Sequence, residues 1–218
     1  MCELSRDHNV DPYFEKLKDA INKSIEQVYE KEWSLLEDKQ ILECAVAAQL
    51  FYYIKQDDLF RDLDVDSEYN KMLRGQTYTR RQLLKRINEK DDNGQYLIVR
   101  PDIIIHQRGL RGARILWVEV KLEWMDKPAK DLKKIIAVTR PLEPDAEYVT
   151  GYSYGVSIVF GDTCVKCTWV INGKTITGQR QSFIIKTTQD GKRTLCLSED
   201  EQINKEHDLC LRPEDICS

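Results

Sequence analysis

The chain has 218 residues, of which 41% are hydrophobic and 32% charged, with a net charge of −4. That composition excludes a disordered chain, and no run approaches the ~18 apolar residues of a membrane helix. The length suits one large domain or two small ones, big enough to fold without a disulfide or metal staple. We read one domain, because no stretch has a linker's composition.

Along the chain, apolar positions Phe14, Leu17, Ile21, Ile25, Val28 and Tyr29 recur at helical spacing, which predicts an amphipathic helix over 11–33 opened by Asp11-Pro12. Residues 39–55 predict a second helix, apolar nearly all round and therefore buried. A short strand is expected around 65–69. Residues 79–90, with Arg80, Arg81, Lys85 and Arg86, read as an exposed basic helix closed by Asn93-Gly94. Two strands follow, over 96–106 and 114–122, joined by a glycine-containing hairpin. A helix is expected at 127–139 and an apolar strand at 154–160. Beyond 160 the pattern is β, with hairpin turns at Asn172-Gly173 and Asp190-Gly191, and the last twenty residues are polar.

The first residues lack the apolar core of a signal peptide, so a cytoplasmic location is expected, with the seven cysteines as reduced thiols. Cys164 and Cys167 form a C-x-x-C inside strand-like sequence, without the second close pair that a zinc ribbon needs. Charge is uneven. Residues 1–75 carry 10 basic against 17 acidic side chains, residues 76–140 carry 15 against 8, and residues 141–218 carry 8 against 12. A basic middle in an acidic protein fits a phosphate-binding surface, or simply solvated helix faces.

The chemistry falls in that middle. In Trp117-Val-Glu-Val-Lys121, strand alternation puts Glu119 and Lys121 on one face and the valines on the other. Asp102 interrupts the apolar run before it and follows Pro101, which has no N–H to donate. If the two strands pair, Asp102 lies near Glu119, and two carboxylates at that range raise each other's pKa. A hard divalent cation, Mg²⁺ or Mn²⁺, relieves that conflict. Glu43 shares a helical stripe with Ala47, Leu50 and Ile54, where a carboxylate needs a positive partner: Lys121 or a metal. The alternatives are a solvent-facing helix-end glutamate for Glu43, and a surface salt bridge across a hairpin for the other three.

Arg100-Pro-Asp-Ile-Ile-Ile-His106 followed by Ile115-Leu-Trp-Val-Glu-Val-Lys121 resembles the PD-(D/E)XK, restriction-endonuclease-like superfamily, with sixteen residues between Asp102 and Glu119. Leu42-Glu-Cys-Ala-Val-Ala-Ala-Gln-Leu is similar to its first helix, and Val65-Asp-Ser-Glu-Tyr-Asn70 resembles a segment preceding PD in small bacterial members. The resemblance covers about residues 39–160. It implies an α/β fold, a mixed central sheet flanked by helices, with extra β-hairpins over 161–200. It also implies Mg²⁺- or Mn²⁺-dependent phosphodiester hydrolysis. Asp102, Glu119 and the Val120 carbonyl would hold the metal. Lys121 would orient or activate the attacking water, and Glu43 would hold a water of the metal's shell or a second ion.

Arg80, Arg81, Lys85, Arg86, Arg100, Lys127, Lys130, Lys133 and Lys134 are the expected backbone-phosphate contacts, with DNA ahead of RNA and no membrane partner. The Gln-x-x-x-Tyr of the RecB-like exonuclease branch is missing, as is a separate sequence-reading domain. The second function class is a non-catalytic member of the fold, serving as a nucleic-acid-binding or protein-interaction module. Acidic surfaces could seat a basic partner subunit or a second copy.

Overall fold

The computed structural model describes residues 11–68, 71–74, 81–84, 86–90, 94–108, 113–125, 129–141, 149–188 and 193–197; for 71–74, 81–84, 89–90, 129–130, 177–181, 195 and 197 it describes the backbone alone. Helices α1 (Pro12–Lys31), α2 (Trp33–Glu37) and α3 (Glu43–Gln56) come first, and a 3₁₀ turn (Asp58–Phe60) leads to the strands. These are β1 (Asp64–Ser67), β2 (Lys71–Arg74), β3 (Arg81–Leu84), β4 (Arg86–Lys90), β5 (Tyr96–Ile98), β6 (Ile103–His106) and β7 (Arg114–Leu122). After helix α4 (Ala129–Val138) come β8 (Tyr154–Phe160), β9 (Cys164–Ile171), β10 (Lys174–Thr187) and β11 (Arg193–Leu197).

The result is mixed α/β. A seven-stranded sheet of order β1-β6-β7-β8-β9-β10-β11 is antiparallel except at β7–β8. That parallel pair is the one joined by a helix, α4, because parallel neighbours need a crossover. On one face, α1 and α3 pack on Ile103, Ile105, Leu116, Val118 and Val120. On the other, α4 packs on Ile104 and Trp117. The split is strand alternation made visible.

The first helix follows its pattern. Asp11 caps α1 by accepting from the Tyr13 N–H at 2.9 Å, and Phe14, Leu17, Ile21, Ile25 and Val28 are buried. Each such side chain contributes about 1.5–3 kcal/mol on leaving water. Helix α3 departs from its expected bounds. It starts at Glu43, because Leu42 is extended, and its outer face carries exposed Tyr52.

Within the expected basic helix over 79–90, residues 81–84 and 86–90 are instead strand. β3 pairs with β2, and β4 with β5, in two separate two-stranded sheets. Leu83, Leu84 and Ile87 fit a helical period as well as a strand, and cross-strand pairing decides between them. Ile87 is buried against the α4-side core. The expected single strand over 96–106 is split into β5 and β6, with Pro101 in the gap where a ladder would need its N–H. The C-terminal strands continue the central sheet rather than standing beside it. The β9–β10 turn has positive φ at both Asn172 and Gly173, as a two-residue hairpin requires. The Asp190-Gly191 turn lies outside the described residues. Among those described, no helix is long and apolar enough to cross a membrane.

Candidate active site

β6 and β7 pair antiparallel with Ile103 opposite Val118. One step further along, Asp102 falls beside Glu119. The contact is made through the backbone: the Val120 N–H donates to Asp102 Oδ2 at 2.7 Å. The Val120 side chain is buried in the α1/α3-side core. Glu119 is 2% exposed, and its Oε1 accepts from the Trp117 indole N–H at 2.7 Å, two residues back on the same strand face. Trp117 is itself buried, edge-on to Tyr152 at 5.3 Å.

Lys121 continues that face. Its Nζ donates to Glu43 Oε2 at 2.6 Å and lies 3.2 Å from Asp131 Oδ2. Glu43 opens α3 and Asp131 lies in the first turn of α4, so one ammonium ties together helices from opposite faces of the sheet. Asp131 Oδ1 accepts from Lys134 at 2.5 Å, and Lys134 also reaches Glu119 Oε2 at 3.4 Å. Gly155 on β8 lets α4 come this close: a Cβ there would meet Ile135 Cγ2 at 2.2 Å.

The four carboxylates Glu43, Asp102, Glu119 and Asp131 thus face two ammonium groups, Lys121 and Lys134. The electrostatics follow. Burial, and then the charge of Asp102, push the Glu119 carboxyl up to about 8, against the pull of Lys134 and the Trp117 N–H. Burial also raises Asp102, against the Val120 N–H and Lys121. For Lys121, burial acts downward but is outweighed by the bond to Glu43 and by Asp131, so its pKa is raised and it stays an ammonium. Lys134 is raised in the same way by Glu119 and Asp131 against burial.

Glu43 is the first residue of α3 but turns to Lys121 rather than to solvent, and Glu119 and Lys121 are not hairpin-surface charges; the Glu43 and Lys121 side chains are 24% and 19% exposed and paired with each other. Lys134, expected on a phosphate-binding surface, belongs to this cluster instead. Lys133 is half-buried on α4, Arg86 lies on β4, and Arg100 is exposed 3.5 Å from Glu68. The backbones of Arg81 and Lys130 lie on β3 and α4, while Arg80, Lys85 and Lys127 fall outside the described residues.

Two residues escaped the sequence reading. Asp131 sits four and seven positions before Ile135 and Val138, on the buried stripe of its helix, where an acidic side chain signals a partner. Trp117 shares the strand parity of Glu119, and a buried indole N–H seeks an acceptor.

A cation at Asp102 and Glu119 fits the donor chemistry, two carboxylates brought together by adjacent strands. Both oxygens of Asp131 go to lysines, Asp102 Oδ2 takes the Val120 N–H, and Glu43 holds Lys121. Among the described residues, no three His, Cys, Asp or Glu side chains are grouped to hold a metal. Mg²⁺ needs no such cage: one or two carboxylates suffice when water and substrate phosphates supply the rest. The C-x-x-C offers no alternative. Cys164 and Cys167 are an odd number of positions apart on β9 and face opposite ways, and burial pushes the Cys167 thiol up to about 12. No family model matches the chain, and no curated protein or solved structure matches it.

Proposed function

We propose that this protein is a divalent-cation-dependent phosphodiester hydrolase, a nuclease of the PD-(D/E)XK kind, acting on DNA or RNA. The observation that carries the reading is the buried Glu119 beside Asp102, two residues from an ammonium that two helices pin in place. A pair of carboxylates that cannot both ionise comfortably without a cation is a cost that a purely structural site has no reason to keep. Asp102 and Glu119 would hold Mg²⁺ or Mn²⁺, which when bound supplies Lewis acidity toward a phosphoryl oxygen.

The chain's own contribution centres on Lys121. A lysine held protonated cannot act as a base; it donates hydrogen bonds. It would orient a water for attack or stabilise charge growing on the phosphoryl oxygens. Glu43 and Asp131 limit its freedom, so little reorganisation accompanies the reaction. Lys133, Arg86 and Arg100 remain as phosphate contacts outside the cluster.

One observation favours a second reading, a non-catalytic nucleic-acid-binding or protein-interaction module: both cluster lysines already have carboxylate partners, as in a closed structural network. The deciding experiment incubates the protein with single-stranded, duplex and branched DNA and RNA in Mg²⁺, Mn²⁺ or EDTA. Cation-dependent cleavage, lost in Glu119→Gln, supports the hydrolase. Binding without cleavage under every condition supports the module.

A further inference from the structure

We propose that Asp131 is a positioning residue, which anchors the Lys121 ammonium against Glu43 and competes with Glu119 for the Lys134 ammonium. Four observations carry this. Both Asp131 oxygens go to ammonium groups, Oδ2 to Lys121 at 3.2 Å and Oδ1 to Lys134 at 2.5 Å. Asp131 is 4% exposed, so water offers its charge little relief. Lys134 stands closer to Asp131 than to Glu119, 2.5 Å against 3.4 Å. Finally, α4 is seated against β8 at Gly155, which fixes where its first turn can lie.

The consequence is a competition. A Lys134 released from Asp131 would turn wholly to Glu119 and occupy the carboxylate that a cation needs. A Lys121 released from Asp131 would keep Glu43 alone and gain freedom to swing. Asp131 therefore acts through the two lysines and not as a ligand. The effect on cation affinity rests on the hydrolase reading; the anchoring of the lysines does not.

The test compares ¹⁵N-labelled wild type, Asp131→Asn and Asp131→Glu without cation, following the side-chain ammonium resonances of Lys121 and Lys134. In the wild type both should be visible and slow to exchange with water. Asp131→Asn should lose the Lys121 signal, and Asp131→Glu should restore part of it. An unchanged Lys121 signal in Asp131→Asn overturns the proposal. Should Asp131→Asn fail to fold by circular dichroism, Lys134→Gln replaces it: Lys121 must then keep its signal, and its loss overturns the proposal.

Mn²⁺ titration by calorimetry supplies the second arm. Asp131→Asn should weaken binding roughly tenfold, as lost support around a metal site does. The double variant Asp131→Asn/Lys134→Gln should return to within about threefold of Lys134→Gln alone, since the two residues are coupled. A double variant as weak as Asp131→Asn overturns the proposal, because Asp131 would then itself be a ligand. A wild type that neither binds Mn²⁺ nor cleaves, yet shows the expected ammonium signals, refutes the hydrolase reading and leaves the anchoring supported.

Discussion

Two charged clusters lie at opposite ends of β6, and they handle buried charge in opposite ways. At the far end, His106, the last residue of the strand, meets Asp66 Oδ2 through Nε2 at 2.8 Å, and the Arg108 guanidinium bonds Asp66 while its backbone N–H donates to Asp64 at 2.7 Å. Burial alone would raise the Asp66 carboxyl, but Arg108 and His106 outweigh it and hold it below the usual range. Before the strand begins, Asp102 and Glu119 have weaker compensation, and both are raised. In the first cluster a guanidinium and an imidazole sit on Asp66, and its carboxyl is lowered. The other keeps a surplus of carboxylate, the arrangement expected where a cation or a reacting group is to supply the missing charge.

The sharpest way to break this contrast is Lys121→Ala. It should lower the cleavage rate by at least ~10²-fold, the scale of losing one positioned electrostatic donor, with nucleic-acid binding nearly intact. Single-turnover kinetics beside a binding titration measure the two separately. A proportional loss of binding would make Lys121 a phosphate contact.

Next in size is a pH effect of opposite sign in the two clusters. Glu119, at about 8 when folded against an ordinary 4.5, keeps a proton that the unfolded chain releases. Stability of the cation-free protein should therefore fall as pH rises from about 4.5 to about 8, by roughly 2–5 kcal/mol for this group. Glu119→Gln should flatten that fall. Mn²⁺ should reverse it, with proton release on binding and an affinity that rises with pH up to about 8. Asp66 is lowered, so its contribution is present above its ordinary 3.8 and is lost as pH falls through its folded value. Thermal melts across pH, for wild type and Glu119→Gln, separate the two.

Smaller effects belong to the compensated cluster and to the surface. Arg108→Ala should destabilise the protein by about 0.5–1 kcal/mol without changing cleavage, since its guanidinium is largely exposed. Lys133→Ala should reduce the salt dependence of duplex binding by about 0.9 units of slope, if it makes one phosphate contact. An unchanged slope removes it from the interface.

Period-two alternation was enough to put Glu119 and Lys121 on one strand face, and helical spacing enough to put Glu43 on the buried stripe of α3. Both are local properties of the chain, decided by which residues repeat at which interval. The same local rules misread 81–84 and 86–90, where apolar spacing suited either a helix or a strand and the pairing partners lay elsewhere in the chain. Position alone could not bring Asp131 and Lys134 into the site. Their place depends on α4 crossing between β7 and β8 and on Gly155 letting the helix close in. How far Glu119 is raised was equally out of reach. That is set by how deeply the sheet and α4 bury it and by which charges from other elements surround it, and both exist only once the strands have paired.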